Sequence, residues 1–225
     1  MARCASTRTD PADDGVVVRY PTTVSSEEYL IEEGWRTATL AHCPLHPEGG
    51  CGLSRHGSYG RVRPAGLRVA RLLCPKAGTT ISLLPDFLAS RLMGTLAEVE
   101  AVVVAAEGAA SVEGALERVR PAAAEKAVTL ASGLRWLRRR VSSVHAALVA
   151  AVTLVPALAG CQPTLGALGE RLGVCDVLMS LRVLATEHLA AMSAPLGFRA
   201  RGRRREVKRK RTPHEAGPDP PSVSR

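Results

Sequence analysis

Aromatic residues make up only 3% of this 225-residue chain, although 46% of it is hydrophobic. A core with so few large rings must be built from alanine, leucine and valine, and such side chains favour close-packed helices. Lysine is scarce too, since only four of the 30 basic residues are lysine. This arginine bias, together with the abundance of alanine, glycine and valine, suggests a GC-rich coding sequence, and we expect a bacterial protein.

The first residues contain no apolar segment of the kind that directs secretion, because charged residues such as Arg3, Arg8 and Asp10 interrupt them. We therefore expect a cytoplasmic protein. In a reducing compartment, cysteines are expected to bind metal or to remain free and not to form disulfides. The six cysteines are Cys4, Cys43, Cys51, Cys74, Cys161 and Cys175.

The sequence also has no convincing membrane span. The uncharged run 144–160 follows Arg138, Arg139 and Arg140, which invites a transmembrane interpretation with positive charges inside. However, the run is rich in alanine, is interrupted by Pro156, and reaches only the short limit for crossing a bilayer. We favour a buried core helix, with a membrane anchor as the weaker alternative.

Carboxylates in a catalytic arrangement are missing as well. Two-metal phosphoryl transfer on nucleic acid commonly needs three carboxylates on a β-rich core. After residue 95, most acidic residues fall on short amphipathic helices, and no nucleophile lies in a pattern with a base. We expect no catalytic residues, no small-molecule substrate and no enzyme.

The net charge of +9 is distributed unevenly. Residues 199–225 contain ten basic and three acidic residues, whereas residues 1–198 are close to neutral. We predict that 199–225 is a disordered basic tail, which would bind polyanions through counterion release without reading sequence. The alternative is a solubilising tail. The arginines at its centre are Arg203, Arg204 and Arg205.

Two Cys-Pro turns, at Cys43 and Cys74, flank a strand-like segment over residues 67–73. This layout is typical of a zinc ribbon, in which two knuckles hold one metal ion. The possible metal ligands are divided irregularly, three at the first turn and one at the second, because the second turn has no further Cys or His near Gly78. The alternatives are therefore a ribbon fold that has lost its metal, or plain cysteines near a surface loop. The predicted zinc ligands are Cys43, His46, Cys51 and Cys74.

The strings Cys43-Pro44, Arg55–Tyr59, Cys74-Pro75 and Thr80–Pro85 resemble the N-terminal zinc-ribbon region of bacterial insertion-sequence transposase-like proteins. The resemblance covers about 50 residues and departs from the family pattern at Gly78. It implies zinc in the ribbon, a helix-turn-helix after it, and double-stranded DNA as the partner.

Three helical segments suit that helix-turn-helix, over 96–106, 111–120 and about 125–140. Leu130, Leu134 and Leu137 are expected to face the core, and the arginines of the third helix share another face, where they can reach phosphates or guanine edges. The alternative is a solvated helix end, where arginine interacts favourably with the C-terminal dipole. The predicted DNA contacts are Arg135, Arg138, Arg139, Arg55, Arg61, Arg203, Arg204 and Arg205.

Together these patterns predict an α+β fold that is mostly α. Residues 1–25 are expected to be largely disordered, with a short strand at 15–18, and 26–91 form a small zinc-ribbon-like module. Residues 95–198 form an all-α domain with the candidate helix-turn-helix at 95–140, and Thr95 with Glu98 predicts a capping box at its first helix. The leading hypothesis is a DNA-binding protein related to insertion-sequence transposases but lacking a catalytic core. The alternative is a helical interaction or oligomerisation module that binds no DNA.

Overall fold

A computed structural model describes residues 15–119 and 129–199 of the chain. Within those residues the fold is α+β, with one four-stranded mixed sheet and six α-helices. The strands are β1 (Val16–Tyr20), β2 (Ser54–Gly60), β3 (Arg68–Cys74) and β4 (Thr79–Pro85). The helices are α1 (Ser26–Ile31), α2 (Leu96–Glu107), α3 (Val112–Val119), α4 (Leu130–Leu154), α5 (Leu165–Leu172) and α6 (Val177–Leu184).

The sheet has the strand order β1-β4-β3-β2. β3 pairs with both β2 and β4 in antiparallel fashion, and β1 runs parallel to β4. The strand predicted over 67–73 is confirmed as β3, and the short strand predicted at 15–18 is confirmed as part of β1. β1 pairs with β4, so the sheet includes residues that precede position 26. Residues 1–14 lie outside the described part of the chain.

The described residues form three hydrophobic clusters, of which the smallest packs Ala115 and Leu116 against Leu137. The two larger clusters, which we call the two cores, lie on either side of a shared junction. One joins the sheet to Tyr29 and Trp35, and the other joins α2, α4, α5 and α6 around leucine, valine and alanine. Met179 and Phe198 pack against both cores. The predicted aliphatic helical core is thus present, and the few aromatic rings are concentrated in the sheet core.

Local capping signals in the sequence are accurate. Ser25 and Glu28 form a reciprocal capping box at α1, with Glu28 N–H donating to Ser25 Oγ over 3.1 Å. Thr95 and Glu98 form the equivalent box at α2. Each box satisfies two backbone donors that the first turn of a helix leaves unpaired, so it fixes where the helix begins.

The long helix α4 differs from its prediction. It does not end at Arg140 but continues to Leu154, so residues 144–154 of the predicted core helix form its second half and residues 155–160 lie beyond its end. Val144, Leu148 and Ala151 are buried there, and no helix in the described residues is long and apolar enough to cross a membrane. Leu137 is buried as expected, but Leu130 is 60% exposed and does not belong to the core.

The connection between α3 and α4 spans residues 120–129, of which 120–128 lie outside the described residues. A helix-turn-helix joins its two helices through three or four residues. The connection between the second and third predicted helices is therefore longer than the turn of a helix-turn-helix. A four-residue connection does separate α2 from α3, but α3 contains Glu113 and Glu117, which suit a DNA-contacting helix poorly.

A buried polar junction joins the sheet to the helices. Arg182 of α6 is fully buried and donates to the backbone carbonyls of Asp86, Leu88, Pro195 and Leu196. Burial lowers the pKa of Arg182 to about 9, and nearby Asp86 opposes this shift. The Asp86 carboxylate also forms a two-pronged ion pair with Arg19 of β1, at 2.7 and 2.8 Å. Removing Arg19 or Arg182 would leave buried hydrogen-bond acceptors without a donor, which is costly. The junction therefore links the sheet core to the helical core.

Candidate metal centre and arginine face

The structure brings the four predicted ligands together. One potential ligand atom each from Cys43, His46, Cys51 and Cys74 lies within 4.8 Å of all the others. Cys43, Cys51 and Cys74 are buried, and His46 is partly buried. Within residues 15–119 and 129–199, no second set of three or more His, Cys, Asp or Glu side chains converges in this way. The group can hold a metal ion.

The first three ligands come from the loop before β2. The His46 N–H donates to the Cys43 carbonyl over 3.1 Å, and the Gly49 N–H donates to the His46 carbonyl over 2.9 Å. These turns fold the loop back on itself, so the Cys43 thiol and the His46 ring meet, with Sγ 3.8 Å from Nδ1. Gly49, Gly50 and Gly52 all have positive φ, which explains the glycine-rich stretch between His46 and β2.

The fourth ligand comes from the β3–β4 hairpin. Cys74 is the last residue of β3, and its Sγ lies 3.3 Å from His46 Nδ1. In the turn that follows, Gly78 has φ +60° and donates its N–H to the Pro75 carbonyl over 3.2 Å. A β-carbon is disfavoured at this φ, so the position where the ribbon pattern expects a ligand serves the turn instead. This explains the three-plus-one division of the ligands.

Backbone amides also reach the thiols. Burial raises the pKa of Cys43, but hydrogen bonds from the His46 side chain and from the Leu45 and His46 amides outweigh it and lower that pKa to about 6. Burial and the neighbouring Cys43 and Cys74 thiols raise the pKa of Cys51. Amides aimed at sulfur stabilise a thiolate, which is the form that binds metal.

The three arginines predicted on the third helix are exposed on α4. At 100° per residue, Arg135, Arg138 and Arg139 lie within an arc of about 100° on the side opposite buried Leu137 and Val144. We call this set the arginine face. It lies in the first half of a 25-residue helix, so the alternative of arginines at a helix C-terminus does not apply.

The other predicted contacts have different surroundings. Arg55 donates to the Trp35 and Ala38 carbonyls, and Arg61 donates to the Ala89 and Leu92 carbonyls over 3.0 and 2.6 Å. Both side chains therefore hold loops in place, a role that a basic residue in a sequence string does not reveal. The tail residues Arg203, Arg204 and Arg205 lie outside the described residues.

Two groups of functional interest escaped prediction. Arg140, the neighbour of the arginine face, is buried, lies 4.3 Å over the Trp136 ring and donates to the Met93 carbonyl over 2.8 Å. The Arg19–Asp86–Arg182 junction was also missed, because its members are far apart in sequence. The charge run 138–140 alone does not distinguish the buried arginine from its exposed neighbours, but the spacing of Leu137, Arg140 and Val144 does.

Fold and site together define a class: an α+β protein with a candidate Cys₃His metal centre in its sheet and a row of arginines on its longest described helix. Comparison with protein-family models, curated proteins and solved structures finds no match for this chain.

Proposed function

We propose that this protein binds double-stranded DNA and that its sheet is stabilised by one zinc ion. The observation that carries the DNA proposal is the exposed arginine face of α4. Arg135, Arg138 and Arg139 project away from the core, and no ion pair with an acidic side chain of the described residues engages them. Guanidinium groups in a row of this kind suit phosphate contacts, which supply much of the affinity for duplex DNA.

The donor set and its spacing support zinc. Ligands on a tetrahedron around zinc, with zinc–sulfur bonds of about 2.3 Å, lie roughly 3.5–3.8 Å apart. The Cys43–His46 and Cys74–His46 separations are 3.8 and 3.3 Å. Three thiolates favour zinc over hard cations, and four protein ligands leave no open position for substrate. Zinc would therefore act as a structural tie between the 43–51 loop and the β3–β4 hairpin.

A relationship to insertion-sequence transposases remains part of the proposal and is supported by the sequence resemblance of residues 43–85 alone. We propose a DNA-binding protein without a catalytic core. Its basic tail would add non-specific affinity, whereas the arginine face would position the duplex.

The alternative is a helical interaction module that binds no DNA. Three large apolar side chains, one on each of α2, α3 and α4, are well exposed and would favour it if they form one patch: Val104 at 52%, Val112 at 40% and Leu130 at 60%. Exposed apolar side chains on neighbouring helices are a common feature of association surfaces. In that case the protein would self-associate and would show no salt-dependent binding to duplex DNA.

Equilibrium binding of the full chain to a mixed-sequence DNA duplex over a salt series separates the two. We expect Arg138→Ala with Arg139→Ala to weaken binding and to lower the magnitude of the slope of log K against log salt by about 1.8, since each phosphate contact contributes about 0.9. The matched control is Arg36→Ala with Lys76→Ala, which removes the same charge from exposed positions elsewhere.

Equal slopes for the two double variants would contradict a role for the arginine face. If the face variant binds like the unaltered protein and deletion of residues 199–225 abolishes binding, the tail is the DNA-binding element and α4 is not. If the unaltered chain shows no salt-dependent binding, the interaction module is favoured.

A further inference from the structure

Two exposed arginines lie in loops of the sheet part that contact each other and α4. We propose that Arg63, in the loop between β2 and β3, and Arg91, in the loop between β4 and α2, contact DNA phosphates together with α4. One duplex would then lie across both the helical part and the sheet. This inference rests on the proposed function and adds to it a second, non-contiguous contact region that the sequence analysis did not identify.

The two loops and α4 are fastened to one another. The Gly94 N–H donates to the Arg63 carbonyl over 3.3 Å, and the buried Arg140 of α4 donates to the Met93 carbonyl over 2.8 Å. Arg61, two residues before Arg63, donates hydrogen bonds to the Ala89 and Leu92 carbonyls. These contacts place the two loops against α4 at Arg140, which is about 100° around the helix from Arg139, the nearest member of the arginine face.

Electrostatics point to the same proximity. Burial lowers the pKa of Arg140, and the positive charges of Arg63 and Arg139 lower it further, whereas Glu98 raises it. Arg63 and Arg139 therefore lie close enough to Arg140 to repel it. Glu98 offsets part of this positive charge, and clustered arginines with remaining positive potential attract a polyanion.

Neither loop arginine is used to build the fold. Arg63 and Arg91 are exposed, and within the described residues their side chains make no hydrogen bond or ion pair. Arg91 also has φ +54°, a left-handed conformation that is costly for a residue other than glycine. A strained, exposed arginine with no structural contact is more readily explained by a binding role than by stability.

This contact region lies away from the metal centre. β2 and β3 are antiparallel, so the loop that contains Arg63 leaves one end of the strand pair, and Cys74 lies at the other end of β3. A seven-residue strand is roughly 20 Å long. The candidate zinc site would thus stabilise the sheet without touching the DNA.

The test uses the full chain, a mixed-sequence duplex and salt from about 50 to 200 mM. We expect Arg63→Ala and Arg91→Ala each to lower the magnitude of the slope of log K against log salt by about 0.9. Between the two salt concentrations, the fall in affinity of each variant should then be smaller than that of the unaltered protein by a factor of about 3.5. Arg63→Lys should restore the slope, because lysine keeps the charge. Thermal melting should be unchanged, since neither side chain has a structural contact.

The matched control is Lys76→Ala, an exposed cation in the turn at the metal end of β3. If Arg63→Ala and Arg91→Ala behave like Lys76→Ala while Arg138→Ala with Arg139→Ala lowers the slope, the composite face is wrong and the proposed function stands. If none of them alters DNA binding, the arginine face of α4 is not the DNA-binding element either. The proposed function itself fails only if the unaltered chain shows no salt-dependent binding to the duplex. Binding to phosphatidylglycerol vesicles that depends on Arg63, without binding to DNA, would overturn the inference in favour of a lipid surface.

Discussion

At the scale of single residues, sequence patterns predict roles that depend on residues close together in the chain. Cys43, His46 and Cys51 could be grouped because a metal ligand set has characteristic spacing. The role of Gly78 could not, because a missing ligand and a positive-φ turn residue look alike until the hairpin is known. The carbonyl partners of Arg55 and Arg61 could not be predicted either, because they are 17 to 31 residues distant in the chain.

Tyr29 gives a prediction at this scale. Its ring is buried between Trp35 and Phe87, and its hydroxyl has no hydrogen-bond partner within the described residues. A buried, unpaired hydroxyl costs about 1–3 kcal/mol. We expect Tyr29→Phe to raise the free energy of unfolding by about 1 kcal/mol in urea denaturation. A loss of stability would show that the hydroxyl has a partner.

The same residue predicts a pH dependence. Burial, followed by the effect of Tyr20, raises the pKa of Tyr29 to about 12. Because the folded state holds this proton more tightly than the unfolded state, the contribution is present below pH 10 and is lost as the pH rises towards 12. Between those values the unaltered protein should lose stability more steeply than Tyr29→Phe. If the free energies of unfolding of the two proteins fell in parallel with pH, the raised pKa of Tyr29 would be contradicted.

At the scale of elements, the accuracy of prediction follows the range of the interaction. The capping boxes at Ser25 and Thr95 were predictable because each lies within four residues. The end of α4 was not, because a change from charged to apolar residues at 140 looks like a boundary. In fact, it marks the point at which the exposed face of one continuous helix loses its charge.

Glu100 carries the prediction at this scale. α6 has no side-chain cap of its own at Asp176, and the buried Glu100 carboxylate of α2 accepts the N–H groups of Val177 and Leu178 over 3.0 and 2.8 Å. We expect Glu100→Ala to destabilise the fold by about 1–3 kcal/mol in urea denaturation, because two buried donors lose their acceptor. Glu170→Ala, at an exposed position on α5, is the control, and equal effects would refute the capping role.

At the scale of the whole molecule, composition favoured close-packed aliphatic helices, and the Cys-Pro turns with the strand pattern predicted a small β module. The described residues form an α+β fold with six α-helices and one four-stranded sheet. The way they are joined was beyond the sequence, because it depends on Arg19, Asp86, Arg182 and Phe198, which come from four distant segments. The same limit applies to the arginine surface. Its α4 members share one helix period, whereas Arg63 and Arg91 reach it only through the tertiary fold.

Metal content of the purified full-length protein, measured by elemental analysis, tests the central claim most directly. The account predicts one zinc ion per chain, lost in Cys74→Ala and retained in Cys161→Ser, which alters a cysteine outside the site. It also predicts that chelation lowers the melting temperature, since the metal ties the 43–51 loop to β3. Protein that contains no zinc and melts at the same temperature with and without added zinc would contradict the account.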